Sequence, residues 1–337
     1  MAALAVVLIS SACASSAPAS DDGPLTIRLG YFPNLTHAPA LVGLQNGLLA
    51  GQLGGGVTIE PHTFNAGGDA VTAILSGSVD VSFVGPNPTV NAFVQSHGQA
   101  VRVISGSTSG GALLVVRPDI TSASQLRGKK IADPQLGGTQ DVALRWYLKS
   151  QGFKTDTLGG GDVSVLPQDN SQTLNAFKQR QIDGAWVPEP WASRLVVEAG
   201  GRVLVDERDL WPENRFVTTD LIVATQFLHD HPKRVRALLE GLYATVKFLN
   251  ANAAQAQSIA NAAVASITGK KLADGVVSAA WPHMAFTLDP LASSLKTSAD
   301  HAHSLRLLRD ANLNGLYDLA LLNEVLTEHN EPAVSGL

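Results

Sequence analysis

The sequence predicts an α/β protein of two hinged lobes that face a common ligand cleft. Three observations point there. Apolar runs of strand length alternate with helical patterns along most of the chain, as parallel βαβ units require. One passage occurs twice, at residues 73–88 and 176–191, at a constant offset of 103 as from Asp80 to Asp183. Each copy reads as a helix end, a tight turn with an aspartate, a short apolar strand and a Pro-rich step into the next helix. The pattern also implies two crossings between lobes, near residues 111–117 and 217–223, and a double crossing makes a hinge.

The composition is compatible with this. A chain of 337 residues accommodates two domains, each with its own core. Hydrophobic content of 45% and charged content of 16% describe an ordinary globular protein. The net charge is −5 and Lys/Arg-rich runs are missing, which argues against a nucleic-acid partner. No stretch approaches the roughly 18 apolar residues that spanning a bilayer requires.

Residues 1–24 differ in kind from the rest. Ala2 to Ile9 is wholly apolar and is followed by Ser10-Ser11-Ala12-Cys13, then by a Ser/Ala/Pro/Asp stretch to Pro24. This reads as a signal-peptide core, small residues before a cleavage point, and a flexible tether. Cys13 is the single cysteine, so an intrachain disulfide is impossible. Its position predicts lipidation of the bacterial lipoprotein kind, hence an extracytoplasmic protein anchored to the cell membrane. Two features depart from that pattern: no Lys or Arg precedes the apolar run, and Ser10 stands where such signals usually carry leucine.

The elements follow in order. Residues 25–30 alternate like a first strand, and Asn34-Leu35-Thr36-His37-Ala38-Pro39 opens a helix to about Ala50, with Thr36 as N-cap and proline in the first turn. Strands are expected at 57–64, 79–84, 101–107 and 112–117, and helices at 67–76 and 89–96. The series then restarts. After a short turn capped by Ser124, strands are expected at 130–133, 163–166, 184–187 and 203–206. Helices are expected from Thr139 through Gln151, at 172–180 and at 191–199. Residues 216–224 form a strand that carries the chain back. From His231 the chain is helical: Val235, Leu238, Leu239, Leu242 and Val246 make an apolar stripe, and a last helix covers 319–326. Lobe one is therefore expected at 25–115 plus 220–330, lobe two at 116–219, and a disordered tail at 331–337.

Four loop-to-helix corners combine backbone amides with small polar side chains: Asn34 to His37, Gly85-Pro86-Asn87, Gly137-Gly138-Thr139-Gln140, and Pro188-Glu189-Pro190-Trp191. Helix N-termini present free N–H groups and partial positive charge, so they bind oxyanions without a dedicated arginine. In open α/β sheets ligands gather beyond the carboxyl ends of strands, where these corners lie. Trp191 could wall an apolar part of the cleft, whereas Trp186 replaces Phe83 of the first copy and is read as core. Glu189 could either steady its own helix start or receive a ligand ammonium. Gly-x-Ser-x-Gly and phosphate-loop motifs are missing, and His-Asp-His at 229–231 and His-Ala-His at 301–303 read as solvated helix surface without metal-ligand spacing.

The corner motifs together resemble the solute-binding proteins of ABC importers for nitrate, aliphatic sulfonates and taurine. The residues concerned are Gly30-Tyr31-Phe32-Pro33-Asn34-Leu35-Thr36-His37-Ala38-Pro39, Ser82-Phe83-Val84-Gly85-Pro86-Asn87-Pro88, Gly184-Ala185-Trp186-Val187-Pro188-Glu189-Pro190-Trp191 and Phe216-Val217-Thr218-Thr219. The resemblance covers about residues 25–328. It implies a two-lobed periplasmic-binding-protein fold of the second type, a small anionic organic ligand held between the lobes, and delivery to a membrane permease. It implies no catalysis, cofactor or metal, and a monomer is expected. Position by position, it implies a cleft lined by Asn34, Thr36, His37, Pro86, Asn87, Thr139, Gln140, Glu189, Trp191, Thr218 and Thr219. A small organosulfonate, taurine or an alkanesulfonate, is the expected ligand. The alternatives are nitrate, a thiamine-precursor pyrimidine or an aromatic anion. A pyrimidine-precursor synthase of similar fold would need clustered cysteines that this chain lacks.

Overall fold

The computed structural model describes residues 23–337, so Cys13 and the apolar run before it lie outside the described residues. The first βαβ series comprises β1 (Leu25–Tyr31), α1 (Ala38–Gln45), β2 (Val57–Thr63), α2 (Gly67–Leu75), β3 (Val81–Val84), α3 (Pro86–Gln95) and β4 (Val101–Gly110). The second comprises β5 (Ala112–Val116), β6 (Lys130–Asp133), α4 (Thr139–Ser150), β7 (Ser164–Pro167), α5 (Asn170–Lys178), β8 (Gly184–Pro188), α6 (Trp191–Ala199) and β9 (Arg202–Asp206). The chain returns through β10 (Val217–Ala224) and α7 (Thr225–Asp230). It then ends in α8 (Pro232–Ala251), α9 (Ala253–Thr268), α10 (Asp274–Ala280), β11 (Met284–Phe286), α11 (Ala292–Ser304) and α12 (Ala320–Glu328).

These strands form two sheets with one plan. The first is ordered β11-β4-β10-β3-β1-β2 and the second β7-β6-β8-β5-β9. In each, a central strand pairs in parallel with two neighbours: β1 with β2 and β3, β6 with β7 and β8. The next strand in each, β10 or β5, is antiparallel and comes from a crossing segment. The repeated passage has the same geometry in both lobes. Asp80 accepts a hydrogen bond from the Arg28 amide at 2.8 Å and its own N–H donates to the Arg28 carbonyl at 2.9 Å. Asp183 does the same with Lys130, at 2.9 and 2.8 Å. Each aspartate thereby stitches the start of one parallel strand to its neighbour.

The first crossing lies at the start of the expected 111–117 segment. β5 pairs only with β8 and β9, so it belongs wholly to the second sheet, and the switch lies at Gly110-Gly111 rather than after residue 115. Both glycines have positive φ, 75° and 79°. A Cβ at either would meet the His283 carbonyl at 2.5 Å or the Met284 side chain at 2.6 Å, so no other residue type passes here without displacement. The return strand likewise enters the first sheet at Val217, three residues before the expected boundary.

Below the first sheet, the stripe Val235, Leu238, Leu239, Leu242 and Val246 is buried, and α8 packs on α1 and α12. The tail expected to be disordered is instead docked. The Val334 N–H donates to Asn323 Oδ1 at 2.9 Å and its carbonyl accepts from Asn323 Nδ2 at 3.0 Å, while Glu331 accepts from Lys247 at 2.9 Å. In lobe two, Trp186 is fully buried and its indole N–H donates to Glu207 Oε2 at 2.7 Å. His301, expected to be solvated, stacks on Trp146 with ring centroids 3.9 Å apart, where α11 of lobe one meets α4 of lobe two.

Candidate functional site

The carboxyl ends of the two sheets face each other, and the loops leaving them bound a chamber of about 40 Å³. Lobe one supplies Asn34, Thr36 and His37 from the turn after β1, together with Gly85 and Pro88 from the β3–α3 corner. Lobe two supplies Gly138, Thr139 and Gln140 from the start of α4. Thr218 and Thr219 close the hinge side. Seven of the eleven predicted site residues therefore share one chamber.

Their polar atoms are arranged as neutral donors. His37 is buried and stacked on Phe32, with centroids 4.3 Å apart, and its Nδ1 accepts from the Phe32 amide at 3.4 Å. Burial lowers its pKa to about 3, so the ring is uncharged at neutral pH and carries its proton on Nε2. Asn34 Oδ1 accepts the indole N–H of Trp191, at 2.8 Å across the cleft. This contact fixes the orientation of the amide and leaves Nδ2 as the outward donor. The helix start differs from the expectation: Leu35–His37 is a tight 3-10 turn before α1, with the His37 N–H donating to the Asn34 carbonyl at 2.9 Å, and Thr36 is not the cap that the sequence predicts. Thr139 is the first residue of α4, whose opening amides have no acceptor within the helix and carry partial positive charge.

Beneath that helix start, Asp141 holds the loop. Its Oδ2 accepts from the Gly137 amide at 2.9 Å and its Oδ1 from Arg145 Nε at 2.6 Å. Burial, reinforced by the Asp141 carboxylate, keeps the Asp133 carboxyl well above the usual range. Among the described residues, no Lys, Arg, Asp or Glu side chain lines the chamber.

Four predicted residues do other work, and the Thr218 and Thr219 hydroxyls are spent as donors. Thr218 Oγ1 donates to the Gly110 carbonyl and Thr219 Oγ1 to the Thr36 carbonyl at 3.1 Å, tying the return strand to the crossing and to the turn after β1. Asn87 turns into lobe one, where its Oδ1 accepts from Ser298 Oγ at 2.8 Å; Pro86 is buried beside it and does not line the chamber. Glu189 is fully buried. Its carboxylate accepts from the Ser193 amide and hydroxyl at 3.0 and 2.8 Å and lies 2.6 Å from His283 Nδ1, so it does not face the cleft. Trp191 stands outside the chamber, in a second and larger cavity.

That outer cavity measures about 540 Å³ and is walled by both lobes. Asn34, Asn65 and Asn170 border both spaces. Asn65 and Asn170 were not singled out in the sequence, although both follow strand ends (β2 and β7) and obey the same positional rule as the four corners. Gln135 was also missed. Its Oε1 accepts the Gly68 amide at 2.8 Å, a second cross-cleft bond beside Trp191–Asn34. A third runs from the Thr36 amide to the Glu189 carbonyl at 3.4 Å. The lobes therefore stand closed on one another. Among the described residues there is no group of three or more potential metal-ligating side chains.

Comparison with known proteins gives a consistent picture. A family model described as the NMT1-like family matches residues 21–264. The taurine-binding periplasmic protein of Escherichia coli (strain K12) is 28% identical over 182 residues, 54% of each chain. The chain spans only 54% to 61% of the length of the curated relatives it matches first. Among solved structures, the alkanesulfonate-binding protein SsuA of Xanthomonas axonopodis pv. citri, bound to MOPS, matches with a TM-score of 0.73 at 20% identity. That match covers 88% of this chain and 99% of the other. The periplasmic nitrate-binding protein NrtA of Synechocystis PCC 6803 matches at 0.75 and 15%, covering 92% and 90%. The shared architecture is the two-lobed periplasmic-binding-protein fold.

Proposed function

The chain belongs to the NMT1-like family, and from that premise we propose that it is the extracytoplasmic solute-binding protein of an ABC importer, closing on a small organosulfonate. One observation carries the reading: neutral donors from both lobes converge on a chamber sized for an oxyanion. At about 40 Å³ it has room for about three water-sized groups, and a sulfonate presents three oxygens. Thr139, Gln140, Asn34 and His37 supply side-chain donors, and the α4 helix start supplies amides and dipole. Desolvated neutral donors hold a monoanion without the cost of burying a countercharge. The relatives named for taurine and alkanesulfonates support the same ligand class.

Binding would favour the closed arrangement, because only closure brings Thr139 and Gln140 opposite Asn34 and His37. The closed form is the one a permease would read. In this proposal the protein acts as a monomer tethered through a lipid on Cys13. Replacing Cys13 by serine should move the protein from the membrane to the soluble fraction, and continued membrane association would remove the anchor from the proposal.

The ligand site has its own test. Thr139→Val keeps the shape and deletes one donor, so sulfonate affinity should weaken by roughly 1–2 kcal/mol with little change in melting temperature. Titration calorimetry showing unchanged affinity would exclude Thr139 as a ligand donor. Nitrate also has three oxygens and suits the inner chamber, and a fold shared with NrtA keeps it as the second reading. Nitrate makes no use of the outer cavity. A thermal-shift comparison of nitrate with alkanesulfonates separates the two, since a ligand bound only by the native state raises its stability.

A further inference from the structure

We infer that the preferred ligand is a sulfonate with a ring-sized organic tail, held in the outer cavity while its head sits in the inner chamber. The inference rests on the proposed sulfonate reading and extends it to the rest of the molecule. The inner chamber is too small for more than the head. The outer cavity, at about 540 Å³, falls in the range of sites for ring-containing ligands. The two spaces adjoin at Asn34, Asn65 and Asn170, so a tail leaving the head needs only these side chains to part in order to reach the outer space.

The outer walls are built for organic surface. Phe64 and Leu272 of lobe one line the cavity together with Trp191 of lobe two, and the Arg194 guanidinium stacks on that indole, 4.7 Å from the ring centroid. Arg194 is itself pinned by Glu198 at 2.8 Å, so this wall is set before a ligand arrives. The charges around the outer cavity are mixed: Lys270, Lys271 and Arg194 line it together with Asp169 and Glu198, so apolar surface rather than charge selects the tail, and the inner chamber has no carboxylate of its own. Glu189, the carboxylate at the right corner, is sealed by Ser193 and His283.

The test compares methanesulfonate, taurine and 2-phenylethanesulfonate by titration calorimetry on the full chain. Two exposed wall positions are each filled, Ser171→Trp from lobe two and Thr268→Trp from lobe one. The phenyl compound is expected to bind at least tenfold tighter than either small sulfonate. Both tryptophan variants should lose that advantage while keeping the affinity for methanesulfonate. Taurine binding as tightly as the phenyl compound, or unaltered phenyl affinity in both variants, would overturn the inference and leave the sulfonate reading standing. Failure of all three sulfonates to bind would overturn both.

Discussion

Trp186→Ala is expected to cost about 3–5 kcal/mol of folding stability, most of it borne by lobe two. The side chain is the largest fully buried one among the described residues, packs with Tyr147 at 5.5 Å between centroids, and sits in the cluster formed by β5, β6 and α4. Its removal leaves a cavity and also withdraws the 2.7 Å donor from Glu207, whose remaining indole partner, Trp211, is 3.4 Å away. Urea unfolding followed by far-UV circular dichroism measures the loss, and a change below about 1 kcal/mol would contradict the packing described here.

The same pair gives stability a pH dependence. Burial holds the Glu207 carboxyl up to about 8, above its ordinary value of 4.5. A group raised on folding contributes its full stabilisation below the unfolded value, and the contribution is lost as pH rises through the folded one. The urea midpoint should therefore decline between about pH 5 and pH 8. Glu207→Gln should flatten that decline without abolishing it, because buried Asp133 and Asp220 are raised in the same direction.

Gly85→Ala should weaken ligand binding by on the order of 10- to 100-fold while leaving the isolated lobes intact. A Cβ at this position would stand 2.4 Å from Thr139 Oγ1, which approaches from the opposite lobe. Gly85 has an ordinary extended backbone, φ −74° and ψ 163°, so alanine brings no strain within lobe one. The penalty falls on closure alone, and overpacking of this kind costs about 1–3 kcal/mol, close to the stated range in affinity. Binding within a factor of two of the unaltered protein would show that the lobes do not need to meet at Thr139.

Much of this was legible in the residues. The repeat was readable because each copy needs an aspartate to clamp the start of a parallel strand, and Asp80 and Asp183 do the same job. The chamber was readable in outline because ligand loops lie at strand ends, a rule that located Asn34, His37, Thr139 and Gln140. The rest depended on distant partners. Asn87 and Glu189 have the polarity of ligand residues, and what diverts them is Ser298 and His283, 211 and 94 residues away. The crossing segment was readable, but β5 was expected in lobe one because it is apolar throughout and would suit either sheet. The tail looked free because the asparagine that holds it, Asn323, sits in an otherwise unremarkable helix.

The position of β10 has a consequence for the order in which the molecule can be assembled. Lobe two is one uninterrupted stretch, from β5 to β9, and can complete its sheet as soon as that stretch is available. Lobe one cannot: β4 meets β3 only through β10, which follows the whole of lobe two along the chain. A nascent chain can thus finish lobe two before lobe one, and the strand that joins β4 to β3 also carries the hinge threonines Thr218 and Thr219.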